Sequence, residues 1–331
     1  MPPKRHNLVA DIGGTHARFA LVAEGDAELI EPRSLTVADY PRLADAALAY
    51  LEKTGLGEPA RAAFSVASPV TGDLLDMTNH DWSFSVAETR EALDLDYLKV
   101  LNDFTALALA LTVLPDDQCF KLGPGEGVPG QPRAVLGPGT GLGVSGVVPS
   151  GDRWVPLEGE GGHVSYGPLD AREQQVIEVM REKLDHVSAE SLVSGRGLAN
   201  IYAALTRIDR GEAERLDPEE ISALAVARES DLATEALSMF CGILGTVAGN
   251  LALTLGARGG VYIGGGIVPG IIDFFSGSKF RERFERHGRF TAYLHEIPTY
   301  VIVTGFPALS GALVSLGDAY RSLGISSRAG S

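Results

Sequence analysis

Cysteine is scarce in this sequence of 331 residues, which contains only Cys119 and Cys241. Two cysteines are too few for a disulfide framework or for a zinc site built from several thiolates. Their scarcity fits a reducing compartment, so we expect the protein in the cytoplasm. The start, MPPKRHN, is basic, but the apolar run after it is too short for a signal peptide, and no export is expected.

Positive charge is also in short supply, with 28 Lys and Arg residues against 43 Asp and Glu residues and a net charge of -15. No stripe of Lys and Arg occurs along the chain. Such a protein repels a phosphate backbone, so a nucleic acid is not expected as a partner. An anionic small molecule would have to be held by local groups, namely glycine-loop amides, helix N-termini or a divalent metal.

Long hydrophobic runs are nearly absent, and the exception is the uncharged stretch 236–257. It is long enough to span a bilayer, but it has no flanking basic cluster and no second span to pair with. Its Gly245 and Gly249 are spaced for close packing between helices, which soluble cores also use. We interpret it as a buried core helix and expect no membrane association.

Two familiar nucleotide-binding signatures are missing: the strand, glycine turn and helix of dinucleotide enzymes, and a glycine loop ending in Gly-Lys-Ser/Thr. Instead, three short β-type runs end in glycine turns, at 8–15, 134–141 and 261–266. The first two continue into another β-type run, which predicts hairpins with glycine loops at their tips. Two similar hairpins indicate two related α/β domains.

The remaining patterns fill in these two domains, which we place at 1–112 and 113–305, with a C-terminal helix in 306–331 returning to the first. The crossing falls near the turn-rich residues that precede the second hairpin. Apolar spacing predicts helices at 40–53, 104–111, 172–183, 218–235 and 307–322, and strands at 61–66 and 98–101.

The glycine loops are candidate phosphate sites because glycine lets backbone amides approach an anion. In the first loop, Asp11, Gly13, Gly14 and Thr15 supply a carboxylate, amides and a hydroxyl, although an ordinary hairpin turn explains this loop equally well. The second loop has the same combination of glycine amides and a threonine hydroxyl, and the presence of two such loops favours phosphate binding. Its candidate residues, and those of a third loop suited to an adenosine unit, are Gly139, Thr140 and Gly141, and Gly265 and Gly266.

Carboxylates mark three further candidate positions. Asn102 and Asp103 stand where a strand meets a helix, so they either cap the helix or present a catalytic carboxylate. The glycine-rich segment with Glu160 and His163 suits sugar hydroxyls, although metal binding or a structural cap is also open. Glu190 precedes a Ser-Gly turn and by itself reads as a surface residue.

Six motifs occur in a fixed order and together resemble the bacterial glucokinases of the actin-like ATPase superfamily. The resemblance runs from residue 8 to about residue 314 and so covers nearly the whole chain. The motifs are Asp11-Ile-Gly-Gly-Thr-x-x-Arg18, Met77-Thr-Asn-His-x-Trp82, Asn102-Asp-Phe-Thr-Ala106, Gly137-Pro-Gly-Thr-Gly-Leu-Gly143, Glu158-Gly-Glu-Gly-Gly-His163 and Glu190-x-x-x-Ser194-Gly195. We expect Trp82 itself to be a core residue.

The resemblance implies two actin-like (ribonuclease H-like) α/β domains closing over a central cleft, and phosphorylation of glucose at its 6-hydroxyl by ATP with Mg²⁺. It also implies a role for each matched position. Asp103 would be the catalytic base; Asn102, Glu160, His163 and Glu190 would bind glucose; Gly13, Gly14, Thr15, Gly139, Thr140, Gly141, Gly265 and Gly266 would hold ATP; and Asp11 would hold magnesium, through water.

One departure narrows the family. The related repressor-and-kinase sugar kinases carry a Cys-rich zinc motif after the Glu/His segment, and here Ser165-Tyr-Gly-Pro168 follows without a cysteine. We therefore expect no structural zinc. A kinase of the same fold for another hexose or an amino sugar, and a sugar and ATP sensor without turnover, remain the alternatives. The oligomeric state stays open, a homodimer included.

Overall fold

The computed structural model describes residues 6–77 and 82–317, so Thr78 to Asp81 of the second motif lie outside the described residues. These residues form two compact units. The first takes in the described residues of 1–116, 146–158 and 304–331, and the second consists of 117–145 and 159–303. The chain thus returns to the first unit for 146–158, a return that no sequence pattern indicates.

The described residues form mixed α and β structure along the whole chain. The strands are β1 (His6–Ile12), β2 (His16–Ala23), β3 (Ile30–Thr36), β4 (Arg61–Val66), β5 (Leu74–Asp76), β6 (Ser83–Ser85), β7 (Tyr97–Asn102), β8 (Cys119–Leu122), β9 (Arg133–Pro138), β10 (Leu142–Ser150), β11 (Arg153–Leu157), β12 (Val261–Ile263) and β13 (Thr299–Ile302). The helices are α1 (Leu43–Thr54), α2 (Val86–Ala92), α3 (Asp103–Ala110), α4 (Ala171–Arg181), α5 (Gly195–Arg210), α6 (Pro218–Ala227), α7 (Asp231–Leu255), α8 (Ile267–Gly270), α9 (Ile272–Ser276), α10 (Phe280–Glu285), α11 (Thr291–His295) and α12 (Pro307–Ser315).

The first sheet has the strand order β3-β2-β1-β4-β7. Strands β1 and β2 form the predicted hairpin, in which Ile12 pairs with Ala17. Strands β1, β4 and β7 are parallel, and their last residues, Ile12, Val66 and Asn102, stand in register. Parallel strands present their carboxyl ends at one edge of a sheet, where open α/β folds place their ligands. The end of β1 and the end of β7 therefore meet at the same edge.

The second sheet has the order β11-β10-β9-β12-β13-β8. The predicted second hairpin is formed by β9 and β10, and the third glycine turn follows β12, as predicted. Strand β12 runs parallel to β9, with Ile263 opposite Leu136. The second and third glycine turns therefore leave the sheet at the same edge.

Helix α7 is the apolar helix that the sequence predicts. Among the described residues it is the one helix long and apolar enough to cross a membrane, and 72% of its apolar window is buried. Gly245 and Gly249 face α10, because a Cβ on them would meet the backbone oxygens of Phe280 and Phe284. The two glycines thus allow α10 to pack directly on α7, and the prediction of a core helix is confirmed.

The predicted helix at 218–235 is wrong, because the chain forms two helices there. Arg228 adopts the left-handed conformation, with φ 58°, and ends α6. The Ser230 side chain then accepts a hydrogen bond of 3.2 Å from the Ala233 N–H and starts α7. Serine at an N-cap satisfies an amide that the first turn leaves unpaired, so the break has a local cause.

The C-terminal helix is shorter than predicted. Helix α12 ends at Ser315, and Gly317 follows in a turn with φ 76°. The predictions of 306–331 and of 307–322 extend the helix too far, and residues 318–331 lie outside the described part of the chain. Helix α12 packs closely on α3, since a Cβ on Gly311 would overlap the Ala106 carbonyl oxygen.

Candidate active site

Asp11, the predicted magnesium residue, lies near the end of β1 with a side chain that is 19% exposed. Its Oδ2 accepts a hydrogen bond of 3.0 Å from Arg18 Nη1, and its Oδ1 accepts one of 3.0 Å from the Ser65 hydroxyl. Both partners stand on neighbouring strands, β2 and β4. The carboxylate is thus fixed in orientation, with its charge balanced by Arg18.

Asn102 caps α3, as one of the two sequence interpretations requires. Its Oδ1 accepts hydrogen bonds of 2.9 and 3.2 Å from the amides of Phe104 and Thr105. Its Nδ2 donates a longer bond of 3.4 Å to the Ser68 carbonyl. The amide oxygen of Asn102 is therefore fully used inside the protein, and only its Nδ2 hydrogens are left to meet a ligand.

Asp103 is the first residue of α3 and is partly buried at the edge where β1 and β7 end. Its Oδ1 accepts a hydrogen bond of 2.9 Å from the Phe104 amide. Burial and the nearby Asp11 carboxylate, in that order, raise the pKa of Asp103 from 3.8 to about 6. Both causes disfavour the charged form and make this carboxylate more basic than an ordinary Asp.

We expect kcat/KM for the acceptor to fall as the pH is lowered through about 6, the pKa of Asp103. A general base acts only when it is deprotonated. A raised pKa therefore shifts the loss of kcat/KM at low pH to a higher pH than an ordinary Asp would give. Direct chromatographic measurement of ADP between about pH 4.5 and 8 avoids coupling enzymes that are themselves pH-sensitive. A loss of kcat/KM centred near the ordinary pKa of Asp would contradict the assignment of Asp103 as the base.

The glycine loop after Asp11 is a tight turn closed by a bond of 2.9 Å from the Gly13 amide to the His16 carbonyl. Gly14 is partly exposed and Thr15 is exposed. The loop thus presents amides and a hydroxyl to solvent beside Asp11. An ordinary hairpin turn has the same geometry, so a phosphate role for these residues stays a prediction.

In the second unit, the second glycine loop, the glycine-rich segment with Glu160 and His163, and Glu190 meet at Leu142, the first residue of β10. The Leu142 amide donates a bond of 2.9 Å to Glu190 Oε2. A Cβ on Gly162 would overlap the Leu142 carbonyl oxygen, and the Gly162 carbonyl accepts a bond of 2.8 Å from the Glu190 amide. Residues far apart in sequence are thereby held together by backbone contacts.

Glu190 is not the isolated surface residue that its local sequence indicates. Its carboxylate lies against Gly141, where a Cβ would overlap Oε2. A side chain at 141 would displace this carboxylate from its present position. The carboxylate therefore lies beside the second glycine loop.

Glu160 and His163 occupy an exposed turn next to Glu190. Their side chains are 66% and 59% exposed, and Glu160 Oε2 stands 3.9 Å from His163 Nε2. No group of three or more His, Cys, Asp or Glu side chains suited to a metal occurs within the described ranges. The arrangement supplies acceptors and an imidazole to a polar ligand.

The third glycine turn lies against the second. Gly265 has φ 77°, and a Cβ on it would meet the Pro138 carbonyl oxygen at the end of β9. Only glycine fits both the conformation and the approach. Gly265 and Gly266 are exposed, beside a loop whose amide at Gly139 closes on the Gly141 carbonyl at 2.9 Å.

The predicted residues thus form two groups, one in each unit. Asp11, the first glycine loop, Asn102 and Asp103 gather at the edge of the first sheet. The second glycine loop, Glu160, His163, Glu190 and the third glycine turn gather in the second unit. Sequence reasoning missed Ser65 and Ser68, which hold Asp11 and Asn102. Ser65 lies on the predicted strand β4 and Ser68 lies in the loop that follows it, but the register of that strand was not predicted.

Comparison with known proteins gives a consistent result. The family model described as Glucokinase matches residues 8–319. The glucokinase of Neisseria gonorrhoeae is 49% identical over 96% of this chain and 97% of its own length. That of Aromatoleum aromaticum is 50% identical over 94% of this chain and 95% of its own length.

Solved structures agree with these sequence relatives. A glucokinase from an Antarctic psychrotroph has a TM-score of 0.87 and 35% identity, covering 95% of this chain and 99% of that one. A ROK family glucokinase from Streptomyces griseus, in complex with glucose and AMPPNP, has a TM-score of 0.61 and 19% identity over 93% and 97% of the two chains, a likeness in fold alone. The chain therefore belongs to the glucokinase family and has its actin-like α/β fold.

Proposed function

We propose that this chain transfers the γ-phosphoryl group of ATP to the 6-hydroxyl of glucose, giving glucose 6-phosphate and ADP. The observation that carries the proposal is the partly buried Asp103 at the carboxyl edge of a parallel sheet, with its pKa raised to about 6. Family membership points to glucose, since the relatives that are about half identical are glucokinases. Phosphorylation of glucose accounts for both the raised pKa of Asp103 and the similarity to glucokinases.

The proposed chemical step uses Asp103 as the base. The sugar O6 attacks the γ-phosphorus, the bond from that phosphorus to the bridging oxygen of ADP breaks, and the hydroxyl proton passes to the Asp103 carboxylate. Phosphoryl transfer requires little covalent help from a protein, so positioning and charge stabilisation supply most of the acceleration. The bond from the Phe104 amide holds Asp103 in one orientation for this step.

Glucose would be bound through Asn102, Glu160, His163 and Glu190. The carboxylates accept hydrogen bonds from neighbouring hydroxyls, and the imidazole either donates or accepts. Because the amide oxygen of Asn102 already caps α3, Asn102 would act as a donor to the sugar through Nδ2. Glu190 is the best-fixed member, since the Leu142 amide orients its carboxylate.

ATP would be held by the glycine loops. Gly14 and Thr15 in the first unit, and Thr140 and Gly141 in the second, would bind the phosphates through amides and hydroxyls. Gly13 and Gly139, whose own amides close these turns, would let the phosphates approach the backbone. Gly265 and Gly266 would lie along the adenosine. The exposure of Thr15, Thr140 and Gly265 supports these roles, as does the AMPPNP bound to the Streptomyces griseus relative.

Asp11 fits a hydrated magnesium ion. Magnesium keeps several waters and binds through one or two carboxylates together with substrate phosphates, so a lone oriented carboxylate beside a phosphate loop suffices. When bound, the ion would neutralise charge on the transferred phosphoryl group. The ion pair with Arg18 holds the Asp11 carboxylate in place.

The cellular setting follows from the reaction. We place it in the cytoplasm, where ATP is available and where thiols stay reduced, in keeping with a sequence that contains only two cysteines. Glucose and ATP are the proposed partners. The net charge of -15 disfavours nucleic acid as a further one.

A coupled assay with purified protein, ATP and a panel of sugars tests the proposal. We expect glucose to have the highest kcat/KM, ahead of mannose, fructose, glucosamine and N-acetylglucosamine. A higher kcat/KM for an amino sugar than for glucose would identify that sugar as the substrate, with the same mechanism. Binding of glucose and ATP without ADP formation would identify a sensor and overturn the proposed activity.

Magnesium removal should abolish activity, whereas a zinc-selective chelator should leave it intact. The triphosphate needs a divalent cation for charge neutralisation, and the described residues include no His, Cys, Asp and Glu cluster for zinc. The measurement is the initial rate after chelation, with excess magnesium restored in the zinc arm. Lasting inactivation in that arm would contradict the proposed metal requirement.

A further inference from the structure

A buried polar cluster lies in the second unit, apart from every group assigned above. It joins Tyr166, Glu173 and Arg283, which are 6%, 2% and 5% exposed. Glu173 belongs to α4 and Arg283 to α10, while Tyr166 follows the turn that carries His163. Ionised side chains are rarely buried this completely unless they are paired, so the cluster needs a physical explanation.

Every polar group of the cluster has a partner. Glu173 Oε1 pairs with Arg283 Nη1 at 2.6 Å, and Glu173 Oε2 accepts bonds of 2.9 Å from the Tyr166 hydroxyl and the Leu169 amide. Arg283 also donates through Nη2 to the Tyr166 hydroxyl at 3.0 Å and through Nε to Thr246 at 3.1 Å. The Tyr166 hydroxyl is therefore bonded directly to α4 and α10, and through Arg283 it is connected to α7.

Tyr166 is directly connected to the proposed sugar-binding residues. The segments 162–166 and 187–190 form an antiparallel ribbon. Its bonds run from the Glu190 amide to the Gly162 carbonyl at 2.8 Å, from the Ala189 amide to the Val164 carbonyl at 2.9 Å, and from the Tyr166 amide to the Val187 carbonyl at 3.2 Å. One end of this ribbon carries His163 and Glu190, and Tyr166 anchors the other.

We propose that Tyr166, Glu173 and Arg283 are positioning residues for sugar recognition, which hold the 162–166 and 187–190 ribbon so that His163 and Glu190 meet the sugar hydroxyls in one geometry. The proposal rests on the function proposed above, in which these residues bind glucose. The ribbon is short, and the turn next to it is glycine-rich and exposed. The hydrogen bonds within the ribbon join its two segments to each other but do not fix the ribbon relative to the core of the unit. The bonds of the Tyr166 hydroxyl to Glu173 and Arg283 do fix it.

Stability alone is a poor explanation for the cluster. Desolvation of a buried ion pair roughly offsets the attraction between its charges, and apolar residues of similar volume often stabilise a core as well or better. A fully satisfied network instead specifies one arrangement of the groups that it joins. Here the group joined to the core is the sugar-binding ribbon.

Two variants test this proposal without leaving an unpaired charge in the core. Tyr166→Phe removes one hydroxyl and keeps the ring and the Glu173 to Arg283 pair. The double variant Glu173→Gln with Arg283→Met removes both charges together. We expect each to raise the glucose KM by about 3- to 10-fold, the effect of losing one or two net hydrogen bonds, while kcat and the KM for ATP stay near wild type.

Tyr202→Phe is the matched control. Tyr202 is also a buried tyrosine of the second unit, 3% exposed, whose hydroxyl donates to Glu214 at 3.3 Å, outside the ribbon. It should leave the glucose KM unchanged. If Tyr166→Phe and the double variant lower the melting temperature but leave the glucose KM at the control value, the cluster is merely structural and the proposal is wrong.

Making Tyr166→Phe in a protein that already carries Glu190→Gln separates this inference from the proposed function. In Glu190→Gln protein, Tyr166→Phe should raise the glucose KM by a smaller factor than in wild type, because the anchor acts through a group that is already weakened. An unchanged factor would contradict the positioning role. If Glu190→Gln itself leaves the glucose KM unchanged, the assignment of sugar-binding residues fails instead.

Discussion

Replacing Asp103 by Asn is expected to lower kcat by about 10²- to 10⁴-fold while the protein stays folded and still binds glucose and ATP. The N-cap of α3 is Asn102, which the substitution leaves in place, and Asn at 103 keeps an oxygen that can accept from the Phe104 amide, so the first turn of α3 should survive. What the substitution removes is the acceptor for the 6-hydroxyl proton. The measurement is kcat, glucose affinity and melting temperature on the same preparation.

Asp73→Asn is a suitable control for this experiment. Asp73 is an exposed Asp of the same unit that accepts bonds from the Ser85 hydroxyl and the Ala87 amide at the start of α2. It should show near-normal turnover, since it supports only a helix terminus. If Asp103→Asn behaves in the same way, Asp103 serves only to support the first turn of α3, and the proposed mechanism is wrong.

Glu190→Gln is expected to raise the glucose KM by about 10-fold or more, with a smaller effect on kcat. A hydrogen bond to a charged group contributes about 1.5–3 kcal/mol, and removing binding shared by ground state and transition state appears in KM. Gln keeps the acceptor for the Leu142 amide and nearly the same volume beside Gly141. Glu160→Gln should act in the same direction, and initial rates over a range of glucose concentrations at saturating ATP measure both.

Glu182→Gln serves as the control for these carboxylate variants, because Glu182 lies on the surface of the same unit and pairs with Arg207 at 2.7 Å. It should leave both KM values unchanged. A Glu190→Gln protein that loses ATP binding and keeps glucose binding would place Glu190 with the nucleotide instead of the sugar.

Local patterns predict much of the fold correctly. A β-type run followed by glycines identifies each of the first two hairpins, and the antiparallel pairing of Ile12 with Ala17 agrees with the first. The apolar spacing of α4 and the uncharged length of α7 identify core helices within a few residues. Trp82 is buried as expected, with its indole N–H donating to the Tyr40 carbonyl at 3.1 Å. These features depend on neighbours in sequence, which a pattern records.

Other features were missed because they depend on single residues or on distant ones. The break between α6 and α7 requires Arg228 to be left-handed, which is uncommon for arginine. Helix α5 was not predicted, although Leu198, Ile201 and Leu205 have helical apolar spacing. The predicted C-terminal helix is present as α12, but it ends at Ser315, before the predicted end, because apolar spacing alone does not indicate where a helix ends.

The candidate site was predicted as a set of residues and not as a geometry. The motif order indicates Asp103 and Glu190, but the raised pKa of Asp103 comes from burial and, second, from Asp11, which lies on a strand far away in sequence. The contact between Glu190 and Gly141 likewise depends on the register of β10 against a distant loop. Parallel strand order and long-range packing produce these relations, and neither is written in local spacing.

The most direct test of the proposed activity is the structure of its product. Purified protein should be incubated with glucose, ATP and magnesium, and the product examined by correlated proton and phosphorus NMR. The account predicts one sugar phosphate, with phosphorus coupled to the protons on C6, formed in step with ADP. Phosphate on another carbon, or ADP formed without any sugar phosphate, would contradict it.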